Sequence, residues 1–520
     1  MTAVPALPLG TTWPTRDTFE VLAAGRRVIP VVRRLMADGE TAVSLYRKLA
    51  QGRPGTFLLE SAEHDGMWGR YSIIGAASSA TLTERDGQAV WLGRPPASVP
   101  TEGEPTEVLR GTLEALATDR IEGLPPFTAG LVGAITYDVV RRWESVPADL
   151  PPVLDVPELG LVLATDVAVL DHASGTVLLV ANAINTDDAP TGVERAHADA
   201  CRRLDAMVER LAQPAPSTVA VVDPDQLAAA EAEIVGDTTP EEFHAVVEAA
   251  KEDIRAGEVF QVVLSQRFSL PCPVDGLEVY RALRVSNPSP YMYFVRLEHP
   301  DGSTYDVVGS SPEALVTVSE RRATTHPIAG TRPRGKTPGH DQQLADELLA
   351  DPKERSEHVM LVDLGRNDLQ RVCEAGTVEV VELMRTRSYS HVIHLESTVV
   401  GTMRPEVTAY DVLAATFPAG TLSGAPKPWA LALIERYEKS RRGLYGGVVG
   451  YFDVHGDMDM AIAIRTALVV GGVAHVQAGA GIVADSVPVL EEQECRNKAR
   501  AALRAVATAR AIVPAHGAPG

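Results

Sequence analysis

Apolar and polar positions follow several distinct rhythms along the chain. Thr41 to Leu49 places apolar residues at helical spacing and predicts an amphipathic helix. Val31-Val32-Arg33-Arg34-Leu35-Met36 reads as a second, shorter helical pattern. Gly55-Thr56-Phe57-Leu58-Leu59-Glu60-Ser61 leaves a Pro-Gly turn as a strand. Tyr71 to Ile74, Ala80 to Thr83 and Ala89 to Leu92 predict further strands joined by short Gly-containing turns, followed by a Pro/Glu-rich loop over 93–106. Leu159 to Leu170 and Thr176 to Ala181 predict a hairpin, and residues 191–212 a helix. Residues 1–25 read as an entry arm, and Gln213-Pro214-Ala215-Pro216-Ser217 opens a linker-like stretch. Residues 223–242 carry seven acids and no base, the pattern of a solvated connector. A helix over 240–256 follows, with Thr239 as N-cap, Pro240 in the first turn and Glu242 at capping-box spacing. Strands such as Val307–Ser310 and Ala314–Val318 lie too close for a parallel crossover, which favours an α+β antiparallel architecture.

Charge narrows the function classes. The 520 residues carry 48 Lys+Arg against 69 Asp+Glu, a formal net charge of −21. That field repels polyanions, so broad nucleic-acid or anionic-membrane binding is disfavoured. An anionic small substrate would need a local basic or metal-lined pocket. Cys201, Cys272, Cys373 and Cys495 are scattered, with no C-x-x-C pair, which argues against a disulfide framework or zinc ribbon. No basic leader precedes an apolar run, and no stretch of about 18 apolar residues occurs, so the expected compartment is the cytoplasm.

Two short motifs fail in context. Gly330-Thr331-Arg332-Pro333-Arg334-Gly335-Lys336-Thr337 matches the P-loop pattern, yet Pro338-Gly339 follows and Gly339 disfavours the helix such a loop needs. Gly479-Ala480-Gly481-Ile482-Val483-Ala484 matches a dinucleotide fingerprint, but Asp485-Ser486-Val487-Pro488 follows where a helix should open.

The chemistry-bearing features are spread over the second half. Glu354 and Glu357 share one helical face, and Glu491 and Glu494 form a second such pair. Two carboxylate-bearing helices could hold one hard divalent ion, although glutamate pairs are also common on solvated faces. Residues 321–336 carry five bases and no acid, and 418–427 form a dense Gly/Pro/hydroxyl loop. Arg465 interrupts an apolar stretch, where it must be paired or meet an anion.

Taken together, Gly309-Ser310-Ser311-Pro312-Glu313, Pro327 to Arg332, Glu354 to Asp368, Pro418 to Lys427, Arg465-Thr466, Gly479-Ala480-Gly481 and Glu491 to Ala499 resemble the chorismate-utilising enzymes, in particular anthranilate synthase component I. The resemblance spans about residues 240–505 and is weaker before them. It implies large antiparallel sheets packed face to face with helices outside. It divides the chain into a region 1–225 with a regulatory tryptophan site and a catalytic region 226–520. It implies that Glu357 and Glu494 bind Mg²⁺, supported by Glu354 and Glu491. Gly479, Ala480 and Gly481 would give backbone N–H groups to the ring carboxylate. Tyr445 and Arg465 would hold the enolpyruvyl carboxylate, and Gly330 and Thr331 would line the ring. Glu313 would be the general acid, His394 would assist proton removal, and Thr421 would contact the substrate. Without the resemblance, His394 reads first as a satisfied core histidine.

Two positions select the branch. Water-adding members resemble one another in a Lys where this chain has Gln261, and aminodeoxychorismate synthases typically carry Lys where it has Ala329. With neither, the resemblance implies ammonia as nucleophile and anthranilate with pyruvate as products; aminodeoxychorismate synthase component I and a non-catalytic amino-acid-binding regulator are the alternatives. No cysteine sits in a G-x-C-x-G context, so ammonia would come from a separate glutamine amidotransferase subunit, in a heterotetramer of two large and two small subunits. Glu60, Ser61, Pro290, Tyr291 and Met292 resemble a feedback site for L-tryptophan.

Overall fold

The computed structural model describes all residues except 1–3, 5, 6, 63–66, 148, 185–191, 216, 217, 389–391 and 516–520. Parts of the predicted entry arm, Pro216-Ser217 of the linker-like stretch and the last five residues therefore lie outside the described residues. Among the described residues, twenty-two strands join one hydrogen-bonded network, and its strand pairs are antiparallel. The α+β antiparallel expectation holds.

The network forks at the strand Leu159–Asp171, which pairs on one side with Tyr71–Arg85 and on the other with Gly130–Ile135. The first branch runs through Thr56–Glu60, Tyr291–Glu298, Thr304–Ser311, Thr466–Val470 and Val473–Ile482 to Gln261–Pro271. The second runs through Val448–Asp453, Met458–Ile462, Ala314–Ser319 and Arg322–Thr325 to Val392–Thr402, which also pairs with Ile328–Pro333 and Glu379–Ser388. Phe57, Phe294 and Val308 of the first branch share a core with Val132, Tyr451 and Ala461 of the second, so inner faces meet. Strands from both halves of the sequence interleave in both branches, and residues 225 and 226 lie inside the helix Pro224–Ala232.

Two short links carry the chain directly from a strand of one branch to a strand of the other. Ser311-Pro312-Glu313 links Thr304–Ser311 to Ala314–Ser319, and Ala463-Ile464-Arg465 links Met458–Ile462 to Thr466–Val470. The crossovers lie side by side. The Ile462 amide donates to the Glu313 carbonyl at 2.9 Å, and the Ser310 amide to the Arg465 carbonyl at 3.3 Å.

Several local expectations need correction. Val31–Met36 is not helical: Val28–Met36 is a strand paired with Thr176–Ile184. Its first five residues are buried in succession, as in a strand covered on both faces, and the apolar doublet imitates helical spacing. Tyr71 to Ile74 and Ala80 to Thr83 are one strand, Tyr71–Arg85, bent by register shifts rather than split by a turn. The acidic connector contains the helix Pro224–Ala232, capped by Asp223, and Glu231 and Glu233 pair with Arg504 and Arg510 of the last helix. Gly339 does not stop a helix: Pro338–Ala350 forms, with Thr337 accepting from the His340 amide at 3.2 Å. Its Asp341 carboxylate accepts from the Gly335 amide and pairs with Arg334, so the turn binds its own carboxylate. The strand before it pairs antiparallel, unlike a P-loop strand. The 240–256 helix appears as Pro240–Arg255 with its capping box intact.

A buried ion pair fixes the first branch. Arg296 holds Asp306 through two bonds of 2.8 Å, with side-chain exposures of 10% and 11%. Asp306→Ala leaves the guanidinium buried with only Asp275 as acid partner and is expected to cost about 3–5 kcal/mol, read as a lower urea midpoint at unchanged slope.

Candidate active site

The two crossovers open into a cavity of about 1430 Å³. Glu313 and Arg465 face it from the crossovers, Gly330, Thr331 and His394 from the second branch, and Gly479 and Gly481 from the first. Thr421 comes from the short helix Gly420–Ser423, and Tyr445 from the loop before Val448–Asp453. Glu354 and Glu357 approach on the helix Pro352–Gln370, Glu491 and Glu494 on Pro488–Arg510. Ala480, between the two lining glycines, is fully buried with its methyl in the core, the alternation a strand requires.

Burial pushes the Glu313 carboxyl up to about 7, against the Thr421 hydroxyl donating at 3.0 Å and the charges of Lys498 and Arg465. Such an acid keeps its proton near neutrality. His394 is driven the other way: burial lowers its pKa, so the ring is neutral at pH 7. Its Nδ1 lies 2.9 Å from the Gly330 carbonyl, which can only accept, so Nδ1 carries the proton and Nε2 is the basic nitrogen. Arg465 adopts φ of 50°, a left-handed conformation unusual for Arg, and burial lowers its pKa while Glu313 opposes the shift. Burial raises the Tyr445 phenol, which stays protonated as a donor.

The four glutamates differ. Burial raises Glu357, and the charges of Glu354 and Glu494 add to it against a 3.2 Å bond from Gln261. Burial raises Glu491, again with Glu494 adding. Glu354 pairs with Arg332 at 3.1 Å, and Glu494 with Lys498 at 2.7 Å. Among the described residues, no three His, Cys, Asp or Glu side chains already close around one point. The donors nevertheless fit a hard divalent cation: oxygen ligands on two helices, of which Glu357 and Glu491 are raised by burial and by neighbouring carboxylate charge, with room for the waters and substrate oxygens that Mg²⁺ retains.

Sequence reasoning missed Lys498, Lys353, Gln477 and Asn497, all of which line the cavity. Lys498 was reachable, because Glu491, Glu494 and Lys498 fall on one helical face at i, i+3 and i+7. Its Nζ also donates to the Gly479 carbonyl at 3.1 Å. Gln261 and Ala329 both line the cavity as well.

A second cavity of about 380 Å³ gathers Glu60, Ser61, Pro290, Tyr291 and Met292. Met292 pairs in register with Glu60. Glu60 accepts from Tyr280 and Ser72 and is forked by Arg284 at 2.9 and 3.2 Å. Asp459 also faces this cavity, its carboxyl pushed to about 7 by burial and opposed by a bond from Tyr291. Pro290, Pro312, Ile328 and Arg387 line both cavities.

An acid with a raised pKa, a neutral histidine and a desolvated arginine around one cleft define an enzyme site. A family model described as chorismate binding enzyme matches residues 56–504. Anthranilate synthase component 1 of Arthrobacter globiformis is 56% identical over 501 residues, covering 96% of this chain and 94% of that protein. The protein of the same name from Mycobacterium tuberculosis is 55% identical over 503 residues, covering 96% of each. Among solved structures, anthranilate synthase component I from Streptococcus pneumoniae superposes with a TM-score of 0.72 at 34% identity, covering 84% of this chain and 93% of that one. The menaquinone-specific isochorismate synthase of Escherichia coli shares the fold, with a TM-score of 0.67 at 20% identity. The chain belongs to the chorismate-binding enzymes, among the anthranilate synthase component I proteins.

The raised Glu313 carboxyl has a stability signature. Its folded pKa of about 7 lies above the ordinary 4.5, so its contribution is full below pH 4.5 and is lost as pH rises through 7. Glu313→Gln removes that slope. Between pH 5 and 8 the variant is expected to gain on the order of 3 kcal/mol on wild type, measured by denaturant unfolding across that range.

Proposed function

We propose that this chain converts chorismate and ammonia to anthranilate, pyruvate and water. The observation that carries the reading is the protonated Glu313 facing a cleft whose only residues at the branch-selecting positions are Gln261 and Ala329. An amide is no general base and a methyl no nucleophile, so the nucleophile enters from outside. The high identity to proteins named anthranilate synthase component 1 supports the same choice.

Arg465 and Tyr445 would hold the enolpyruvyl carboxylate, and Lys498 with the Gly479–Gly481 backbone the ring carboxylate. Gly330 and Thr331 would bound the ring. Ammonia forms a C–N bond to the ring as the C–O bond of the ring hydroxyl breaks, and Glu313 gives its proton to the departing oxygen, which leaves as water. Nε2 of His394 then takes the proton from the carbon that gained nitrogen. The ether C–O bond breaks, the ring becomes aromatic, and the departing enolpyruvate takes up the proton held by His394 to become pyruvate, while the nitrogen on the ring returns its extra proton to Glu313. Mg²⁺ held by Glu357 and Glu494, with Glu354 and Glu491 behind them, would neutralise the ring carboxylate.

Ammonium predominates at neutral pH, which favours delivery of ammonia by a separate glutamine amidotransferase subunit; the name component 1 on the relatives supports a partner. The proposed assembly is a heterotetramer of two chains of each kind, in the cytoplasm. L-Tryptophan is the proposed occupant of the second cavity, with Ser61 and Glu60 near its amino group and Pro290, Tyr291 and Met292 framing the indole. Inhibition is supported by the shared wall: Pro312 touches the second cavity and immediately precedes Glu313.

The purified chain with chorismate, Mg²⁺ and ammonium is expected to develop anthranilate fluorescence, lost on chelation by EDTA; 4-aminobenzoate after lyase coupling would redirect the assignment. Glu313→Gln should lower kcat about 10²- to 10⁴-fold. At fixed total ammonium, wild-type rates should level off above about pH 7, because protonated Glu313 falls as free ammonia rises. A rate that climbs tenfold per pH unit through that range contradicts the acid role.

Tryptophan should inhibit wild type, and Ser61→Phe, which fills the second cavity, should raise the inhibitory concentration at least about tenfold. Unchanged inhibition in that variant would move the effector elsewhere.

A further inference from the structure

Arg442 is 2% exposed, among the largest fully buried side chains of the protein. Its nearest acid is Glu438, one helical turn earlier, which it grips through Nε at 3.0 and 3.1 Å and Nη2 at 2.7 Å. Burying two charges costs several kcal/mol, and such a pair is weak evidence for stability by itself, since apolar residues often serve as well. The other bonds of this pair are more informative, because they end on the walls of the large cavity.

Nη1 donates to the Leu422 carbonyl at 2.6 Å, and Nη2 to the Val263 carbonyl at 2.8 Å. The guanidinium also lies over two rings, Tyr137 at 4.6 Å and Tyr445 at 5.4 Å. Glu438 extends the reach: it accepts from the Ser265 amide at 2.9 Å and hydroxyl at 2.6 Å, and Ser265 Oγ accepts from Gln477 at 2.8 Å. Leu422, Val263, Tyr445 and Gln477 all line the cavity. Val263 and Gln477 lie on two paired strands, and Gly424-Ala425, just beyond Leu422, pairs with Gln261-Val262, so the Arg442 bonds tie side chains and carbonyls of neighbouring segments to the loop that carries Tyr445. Leu422 adjoins Thr421, the residue that donates to Glu313.

We infer that Arg442, clamped by Glu438, is a positioning residue that sets the Thr421 turn, the Val263 strand and the Tyr445 ring in one register around the reacting ring. It touches no substrate. A planar fork is required, because one group must reach a carboxylate, two carbonyls and two ring faces at once; an ammonium cannot match those directions. This inference rests on the reading of Glu313 as the acid. The hub governs the Thr421 support of that acid and one face of Tyr445, whereas Arg465 and Lys498, the cations proposed for the two carboxylates, are not attached to it. Its loss therefore falls on the chemical step more than on binding.

Arg442→Lys keeps a cation beside Glu438 and is the main test. The double variant Glu438→Leu/Arg442→Met removes both charges and guards against a fold lost to a stranded carboxylate. In the ammonium assay both are expected to lower kcat about 10²-fold while KM for chorismate rises less than about fivefold. Amide hydrogen exchange at 420–423 should accelerate at least about tenfold in Arg442→Lys, with the distant Pro240–Arg255 helix unchanged. A kcat within about twofold of wild type in either folded variant overturns the inference. A wild-type chain inert to chorismate would defeat the proposed reaction instead, and exchange at 420–423 would then decide the hub alone: unchanged protection there overturns it.

Discussion

The site depends on two short crossings made side by side. The two branches of the sheet diverge from Leu159–Asp171, and the chain must pass between them at Ser311-Pro312-Glu313 and Ala463-Ile464-Arg465. Neither crossing can continue a ladder through its middle, so their peptides bond to each other through Ile462 and Ser310. That stitch brings an acid and a base to the seam, where the surrounding strands exclude water. The raised Glu313, the lowered Arg465 and the left-handed backbone at Arg465 follow from the same constraint.

Charge is sorted rather than merely abundant. In a chain of net −21, acids on the outer helices meet Arg and Lys partners, as Glu233 meets Arg510. Inside the cleft, Arg465 faces Glu313, Lys498 pairs with Glu494 on its own helix, and Glu494 in turn adds to the burial that raises Glu357 on the other helix. Such a cleft offers a dianion two cationic walls and leaves a gap suited to a divalent ion. Each half of the arrangement makes the other tolerable, since isolated carboxylates or isolated cations in a buried space would shift to neutral forms.

Much of this was legible in the residues. The glutamate pairs, Glu313, His394 and Arg465 meet in one cavity, and the residues proposed to hold tryptophan meet in another. Capping boxes and hairpins were readable because their signals are local, as at Thr239 and Glu242. What stayed hidden needed long-range information. Val28–Met36 looked helical because a strand covered on both faces loses its alternation. Gly339 looked like a breaker because its cost is small beside a good cap and a Pro in the first turn. Arg442 carries no motif signal of its own; only the fold shows that its bonds end on Leu422 and Val263, 20 and 179 residues away.

The same crossing also joins the two cavities. Tyr291, in the wall of the smaller one, pairs in register with Ser311, and Pro312 lines both before the chain reaches Glu313. A ring-sized occupant of the smaller cavity would therefore press on the segment that carries Glu313. Rigid sheets on either side leave that segment few ways to yield except by rotating about Pro312. Coupling of this kind is reciprocal: whatever draws Glu313 toward a substrate must weaken the fit of the second ligand by the same factor. The shared wall would make the two proposed sites compete for one short peptide, with no conducting path of residues needed between them.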